Sequence, residues 1–343
     1  HKVLLRVRKI IIRNNVVIAV QSIVFSGCWF ARGIIHNSTD AIFGRPDRIE
    51  NKIKDPIKDD VRLSALWVGH STVLLQMDDK VIMIDPLFDD VIGGLMLRKV
   101  EAGLDLDDLP KLDAVLVSHA HMDHMSLTSL REIDERFPNA KLVFPRGSEY
   151  YLPAYDMDMI RLNTANSQKR GYIGESKIIN GIKVTTVFAQ HQGGRYGLDS
   201  YSWNVPGCTG YVFEYNGLTV FFAGDTGYEK EAYKVIGNKF DIDLALIPIG
   251  PCRDCETEGF GNHVASFGAM MMFDDLQAKY MIPVHYGAIQ YGSDPDLPLI
   301  ALEGLIDKYT HATATGVQST TAPYNESIII LDEGEQHIFE YKE

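Results

Sequence analysis

The chain has 343 residues, 45% hydrophobic and 23% charged, a balance that supports a packed core in one large or two smaller domains and excludes disorder as its main state. A net charge of −13 argues against nucleic acid as a partner, because phosphate contacts need a basic surface. An anionic substrate stays open, since bound divalent cations reverse the local field.

Lys2, Arg6, Arg8, Lys9 and Arg13 all precede the first acid, Asp40, and Val16–Phe25 is a short apolar run. Ser26 and Gly27 then lead into Cys28. A basic start, a short apolar stretch and small residues describe an export signal or membrane anchor over residues 1–27, and Cys28 resembles a bacterial lipoprotein cleavage site. The stretch is short for a membrane span, which needs about 20 apolar residues. The expectation is an exported or membrane-associated protein; the alternative is a cytoplasmic one with this segment packed on the domain. Residues 28–60, polar and carrying Pro46 and Pro56, read as a linker or arm.

From residue 61 to 343 the pattern is that of one α/β domain. Leu63–Val68, Val73–Gln76 and Val81–Ile84 are short β-rich runs separated by turn signals, and Leu112–Val117 is a buried-strand candidate. A helix over Leu127–Phe137 is stopped by Pro138. Lys141–Phe144, Ile182–Phe188, Gly210–Tyr215 and Leu218–Ala223 continue the strands, with Asn216-Gly217 marking a hairpin. Leu244–Pro248, Met281–Val284 and Ser327–Leu331 complete them, and helices are expected near Glu229–Gly237, Val264–Leu276 and Pro298–Tyr309. Hairpins followed by strand–helix alternation suggest two mixed sheets covered by helices.

The chemistry concentrates in Ser118-His119-Ala120-His121-Met122-Asp123-His124, directly after the strand Leu112–Val117. Imidazole and carboxylate are natural zinc ligands, and four such groups in six residues are hard to explain as solvated side chains alone. One loop cannot complete a two-metal site. His191, Asp225 and His285 each follow a later candidate strand, in Ala189-Gln190-His191, Gly224-Asp225-Thr226-Gly227 and Pro283-Val284-His285.

The HxHxDH motif, the lone His, the Gly-Asp-Thr-Gly turn and the late His together resemble the metallo-β-lactamase superfamily over about residues 60–310. The resemblance implies a four-layer αββα sandwich of two mixed sheets flanked by helices, holding two Zn2+ per chain. It assigns one zinc to His119, His121 and His191 and the other to Asp123, His124 and His285, with Asp225 bridging both. Asp85, in Asp85-Pro86, matches the family's first motif and is expected to steady the ligand loop from behind.

A narrower resemblance, to N-acyl-phosphatidylethanolamine phospholipase D and its bacterial relatives, rests on Trp67–Leu74, Asp85-Pro86-Leu87-Phe88, Gln190-His191, Phe221–Tyr228, Asp243–Gly250 and Asn262-His263-Val264. It implies a phosphodiesterase acting on phospholipids, in which paired zinc ions about 3.5–4 Å apart activate a bridging water. Asp123 and Asp225 are then catalytic as well as ligating, and His263 binds phosphate or donates a proton. Tyr286 is a candidate substrate contact. Gly193–Pro206 and Pro251–Gly261 depart from the pattern, so lipid preference does not transfer.

Lactone hydrolysis of the ascorbate-6-phosphate lactonase type competes, because the same metals serve a carbonyl. Diiron electron-transfer relatives usually carry Glu where this chain has His121, which favours zinc. A non-catalytic metal-binding module would be expected to have lost ligands, and none is missing. Cys252-Arg253-Asp254-Cys255 reads as a structural turn, with a disulfide if the protein is exported, rather than a redox pair or half a zinc site. His70 is balanced between a structural and an active-site role. Tyr196, Tyr201 and Trp203 are candidate pocket walls.

Overall fold

A computed structural model of the protein describes residues 41, 44–165, 171–195, 199, 207–289, 294–311 and 323–341. The expected export or anchor segment 1–27, most of the arm before residue 44, and Tyr196, Tyr201 and Trp203 lie outside the described residues.

In chain order, the meander β1 (Leu63–Gly69), β2 (Thr72–Met77) and β3 (Lys80–Ile84) is followed by a small hairpin, β4 (Val91–Ile92) with β5 (Met96–Leu97). Next come β6 (Ala114–Leu116), α1 (Leu127–Arg136), β7 (Lys141–Pro145) and β8 (Asp158–Leu162). A second set follows: β9 (Ile173–Ile179), β10 (Ile182–Val187), β11 (Gly210–Tyr215), β12 (Leu218–Phe222), α2 (Lys230–Lys239) and β13 (Leu244–Pro248). Last are the short hairpin β14 (Gly259–Phe260) and β15 (His263–Val264), then α3 (Ser266–Leu276), β16 (Tyr280–Val284), α4 (Leu297–His311), α5 (Tyr324–Ser327) and β17 (Gln336–Phe339).

These strands form a seven-stranded sheet, β17-β1-β2-β3-β6-β7-β8, and a six-stranded sheet, β16-β13-β12-β11-β10-β9. Both are mixed: β1–β3 and β9–β12 pair antiparallel, while β3-β6-β7-β8 and β12-β13-β16 pair parallel.

The period of two along each strand sorts the core into layers. Leu63, Ala65, Trp67, Ile82, Ile84, Ala114 and Leu116 join a cluster with Val184, Phe213 and Val220 of the other sheet. Their sequence neighbours Leu66, Val68, Val81, Met83, Val115 and Val117 face the opposite way, into a cluster with Leu130 and Ile133 of α1. Because both faces of this sheet are covered, its strands read as continuous apolar runs rather than alternation. Ala232, Tyr233 and Ile236 of α2 and Ala269 and Phe273 of α3 cover the second sheet. The predicted αββα sandwich is the observed architecture.

The Asn216-Gly217 turn joins β11 to β12 with φ of 48° and 79°, the left-handed pair that a two-residue hairpin needs. The expected strand Ser327–Leu331 is corrected: Ser327 ends α5, and Ile328 makes only an isolated bridge to Met281. Pro283 removes a donor from the β16 edge, so no full ladder forms there. β8, β9 and β17 escaped prediction because they are edge strands with largely uncovered faces, where apolar patterning is weak. The described part of the arm lies against the domain: Ile53 and Ile57 pack on the α1-side core, and Lys52 Nζ pairs with Asp105 at 2.8 Å. Among the described residues no helix is long and apolar enough to cross a membrane.

Candidate metal centre

Five strands of the two sheets deliver the predicted residues to one place. Asp85 follows β3, the His119–His124 loop follows β6, His191 follows β10, Asp225 follows β12 and His285 follows β16. A strand end is a rigid support, and the loop beyond it is free to turn its side chains inward. At Gly224 φ is +62°, and a Cβ there would lie 2.9 Å from the Thr209 carbonyl and 3.0 Å from Ser118 Cβ, so only glycine lets the Asp225 turn close against the ligand loop.

The seven predicted ligands converge, with His70 and His263 beside them, into three overlapping groups: His119, His121, His191 and Asp225; His70, Asp123, His124 and His285; and Asp225, His263 and His285. His119, His121, His191 and Asp225 form the first, their ligand atoms lying within 4.8 Å of one another. His119 Nε2 and His191 Nε2 are 2.8 and 3.1 Å from His121 Nδ1, and 3.9 and 3.8 Å from Asp225 Oδ2. In the second group His124 Nε2 is 3.3 Å from Asp225 Oδ1 and 3.6 Å from Asp123 Oδ2. His285 Nε2 lies 3.1 Å from Asp225 Oδ2 and 3.7 Å from Asp123 Oδ2. His70 completes this group.

The outer ring nitrogens are tied down. His124 Nδ1 donates to Asp85 Oδ2 at 2.7 Å, His285 Nδ1 to the Gly250 carbonyl at 2.8 Å, and His191 Nδ1 to the Asn262 carbonyl at 3.1 Å. Ser118 spends its hydroxyl proton on Asp85 Oδ2 at 2.6 Å, so its oxygen is left to accept from His119 Nδ1 at 2.9 Å. Each of these rings therefore presents Nε2 to the centre with its tautomer fixed, the arrangement that metal-binding histidines use. Asp85 thus holds Ser118 and His124 at the two ends of the motif.

The electrostatics differ between the groups: against the cost of burial, Asp225 and Asp123 hold His124 well above its usual range and bring His285 to about 9. Burial, reinforced by neighbouring imidazoles, holds His119 well below its usual range, and burial brings His191 to about 3. Both are neutral, as ligands must be. Burial alone would raise Asp225, but His124 and His285 hold its carboxyl well below the usual range. His124 Nε2 and Asp225 Oδ1 are buried and face each other at 3.3 Å, with no other hydrogen-bond partner among the described residues. Buried polar atoms of this kind cost free energy unless something binds them. The donor set, histidine-rich groups on either side of the Asp225 carboxylate, fits divalent metal.

Among the remaining candidates, His263 on β15 is 3.7 Å from Asp225 Oδ2 with its side chain 30% exposed, so it stands between the centre and solvent. Tyr286 is placed differently: its ring stacks on Trp67 with centroids 4.7 Å apart and its hydroxyl donates to the Leu331 carbonyl. It also lines the cleft beside His70, Pro251 and His285. Cys252 and Cys255 form a disulfide. Sequence reasoning missed Arg195, which donates to the carbonyls of Ala120 and Met125 at 3.1 and 2.9 Å and props the ligand loop. No local pattern marks it.

This fold and this cluster define the class. The family model described as a beta-lactamase superfamily domain matches residues 80–286, and the chain belongs to that superfamily as a metal-dependent hydrolase. N-acyl-phosphatidylethanolamine-hydrolyzing phospholipase D 1 of Caenorhabditis elegans is 28% identical over 255 residues, covering 71% of this chain and 69% of that protein. A metal-dependent hydrolase of Sulfurisphaera tokodaii is 30% identical over 222 residues, 64% of this chain and 82% of its own length. Among solved structures, Igni18, a metallo hydrolase from Ignicoccus hospitalis, superposes with a TM-score of 0.55 at 23% identity, covering 82% of this chain and 99% of its own. That likeness bears on the fold.

Proposed function

We propose that the protein is a zinc-dependent phosphodiesterase acting on phospholipids. The observation that carries the reading is the pair of histidine-rich groups on either side of the Asp225 carboxylate, which belongs to one and lies 3.3 and 3.1 Å from His124 and His285 of the other, combined with the similarity to the phospholipase D of Caenorhabditis elegans. His119, His121 and His191 would hold one ion and Asp123, His124 and His285 the other, with Asp225 common to both. Two such ions supply an activated water and neutralise charge that develops on a phosphoryl oxygen.

The chain's own residues supply the rest. Asp225 keeps the two groups at one spacing, and Asp85 with Ser118 keeps the ligand loop rigid, so little reorganisation remains at the moment of reaction. His263, on the open side, is placed to hydrogen-bond the phosphate or to give a proton to the leaving oxygen. Hydrolysis of a phospholipid on the headgroup side of phosphorus would yield phosphatidic acid and the headgroup alcohol, and on the glycerol side diacylglycerol and the headgroup phosphate. Residues 61–343 would form the hydrolase domain, with residues 28–60 as an arm and residues 1–27 exporting it or tethering it to a membrane.

The test is metal analysis of purified protein alongside parallel assays on N-acyl-phosphatidylethanolamine, phosphatidylcholine and a lactone. The expected result is two zinc ions per chain and release of the phosphate-bearing product. Turnover of the lactone alone would overturn the phosphodiester reading, and metal-free active protein would overturn the zinc reading.

A further inference from the structure

We infer that His70 is a positioning residue for the second half of the centre, an inference that rests on the two-metal reading above. His70 sits in the turn between β1 and β2, 1% exposed, with φ of +55° directly after Gly69 at +116°. A β-carbon residue is held in the left-handed region only when its surroundings over-determine it. Here they do. Its Nε2 is 3.0 Å from Asp123 Oδ2, and its carbonyl accepts from the backbone N–H of His285 at 2.9 Å and from Trp67 Nε1 at 2.8 Å. Its ring lies against that of His285 with centroids 4.2 Å apart.

The direction of the side-chain bond follows from what surrounds the ring. His70 Nδ1 is buried and has no hydrogen-bond partner among the described residues. A stranded N–H costs more than a stranded lone pair, so the single ring proton belongs on Nε2, where Asp123 accepts it. That bond fixes the rotation of the Asp123 carboxylate, while the carbonyl fixes where His285 leaves β16. One turn residue thus ties together two ligands from distant stretches of chain, both of the second group. It makes no hydrogen bond to His119, His121 or His191 among the described residues, so its influence falls on one half of the centre.

The experiment uses full-length protein stripped by chelator and titrated with Co2+ and with Zn2+. Wild type should take up two ions. His70→Met, close in size but without a donor, should bind the first ion within about threefold of wild type and the second about 10–100-fold more weakly, the usual range when a partner behind a ligand is lost. His70→Gln, which restores an N–H near the Nε2 position, should recover most of the second affinity. Two unchanged affinities in His70→Met would overturn the inference, and so would His70→Gln as weak as His70→Met, because a ligand or a packing residue would behave that way. A measurement on wild type needs no variant to fold: imidazole nitrogen NMR should show the His70 proton on Nε2, and an Nδ1–H tautomer would overturn the assignment. Wild type binding fewer than two ions would instead sink the two-metal reading itself.

Discussion

Asp85 and Ser118 are joined twice: the Ser118 backbone N–H donates to Oδ1 and its hydroxyl to Oδ2, both at 2.6 Å. The carboxylate also accepts from His124 Nδ1, so one fully buried side chain anchors the start of the ligand loop and one of its ligands. Asp85→Asn offers a single acceptor oxygen and leaves an amide N–H₂ facing a donor. Metal affinity should fall about 10–100-fold and stability by about 1–3 kcal/mol. Metal titration and thermal unfolding check both, and an unchanged affinity would remove Asp85 from the ligand scaffold.

Asp225→Asn removes the charge that lies between the two groups. Turnover should drop by about 10³-fold or more, and at least one ion should be lost on dialysis, as read by elemental analysis. A fully active variant would end the bridging role.

His263→Ala separates chemistry from binding of metal. The rate should fall about 100-fold while both ions stay, because a positioned acid contributes roughly that much. Loss of an ion would make His263 a ligand instead, consistent with its distance to Asp225 but not with its exposure.

Asp274 gives a stability prediction away from the centre. Burial raises its carboxyl to about 7 despite the hydrogen bond it accepts from Tyr324 at 2.8 Å. Above pH 7 it is ionised folded and unfolded alike, and the folded state bears the whole burial cost. As pH falls through 7 the folded protein takes up a proton that the unfolded chain does not, so stability rises until about pH 4. Asp274→Asn should therefore stabilise by about 1–2 kcal/mol at pH 8.5, with the advantage shrinking by pH 6. An equal gain at both pH values in paired melts would contradict the assignment.

The disulfide Cys252–Cys255 opens the loop that leads to β14, β15 and His263, and the Cys255 carbonyl accepts from the Phe267 N–H at the start of α3. Chain entropy assigns so short a loop about 2 kcal/mol, or about 3 °C in a domain of this size. Reduction, or Cys252→Ser with Cys255→Ser, should lower the melting temperature by that amount and leave metal content intact. No change on reduction would place the bridge outside the cooperative unit.

Much of this protein was legible before any coordinates. The seven ligand candidates and the two mixed sheets follow from local pattern, because a buried strand ends in a run of apolar residues and a ligand loop concentrates imidazole and carboxylate just beyond it; the role of Asp85 and the four-layer arrangement came from the family resemblance. What lay out of reach were relations between distant residues. Whether His70 was structural or functional turns on its 3.0 Å approach to Asp123, and Arg195 reaches back to carbonyls of the His119–His124 loop. Tyr286, read as a substrate contact, turned its hydroxyl to Leu331. The edge strands β8, β9 and β17 carry little burial signal of their own, so only pairing with their neighbours defines them. Side-chain chemistry and period are local properties that a sequence records directly. Which oxygen meets which ring nitrogen is fixed by the packing of two sheets, and only the folded chain decides it.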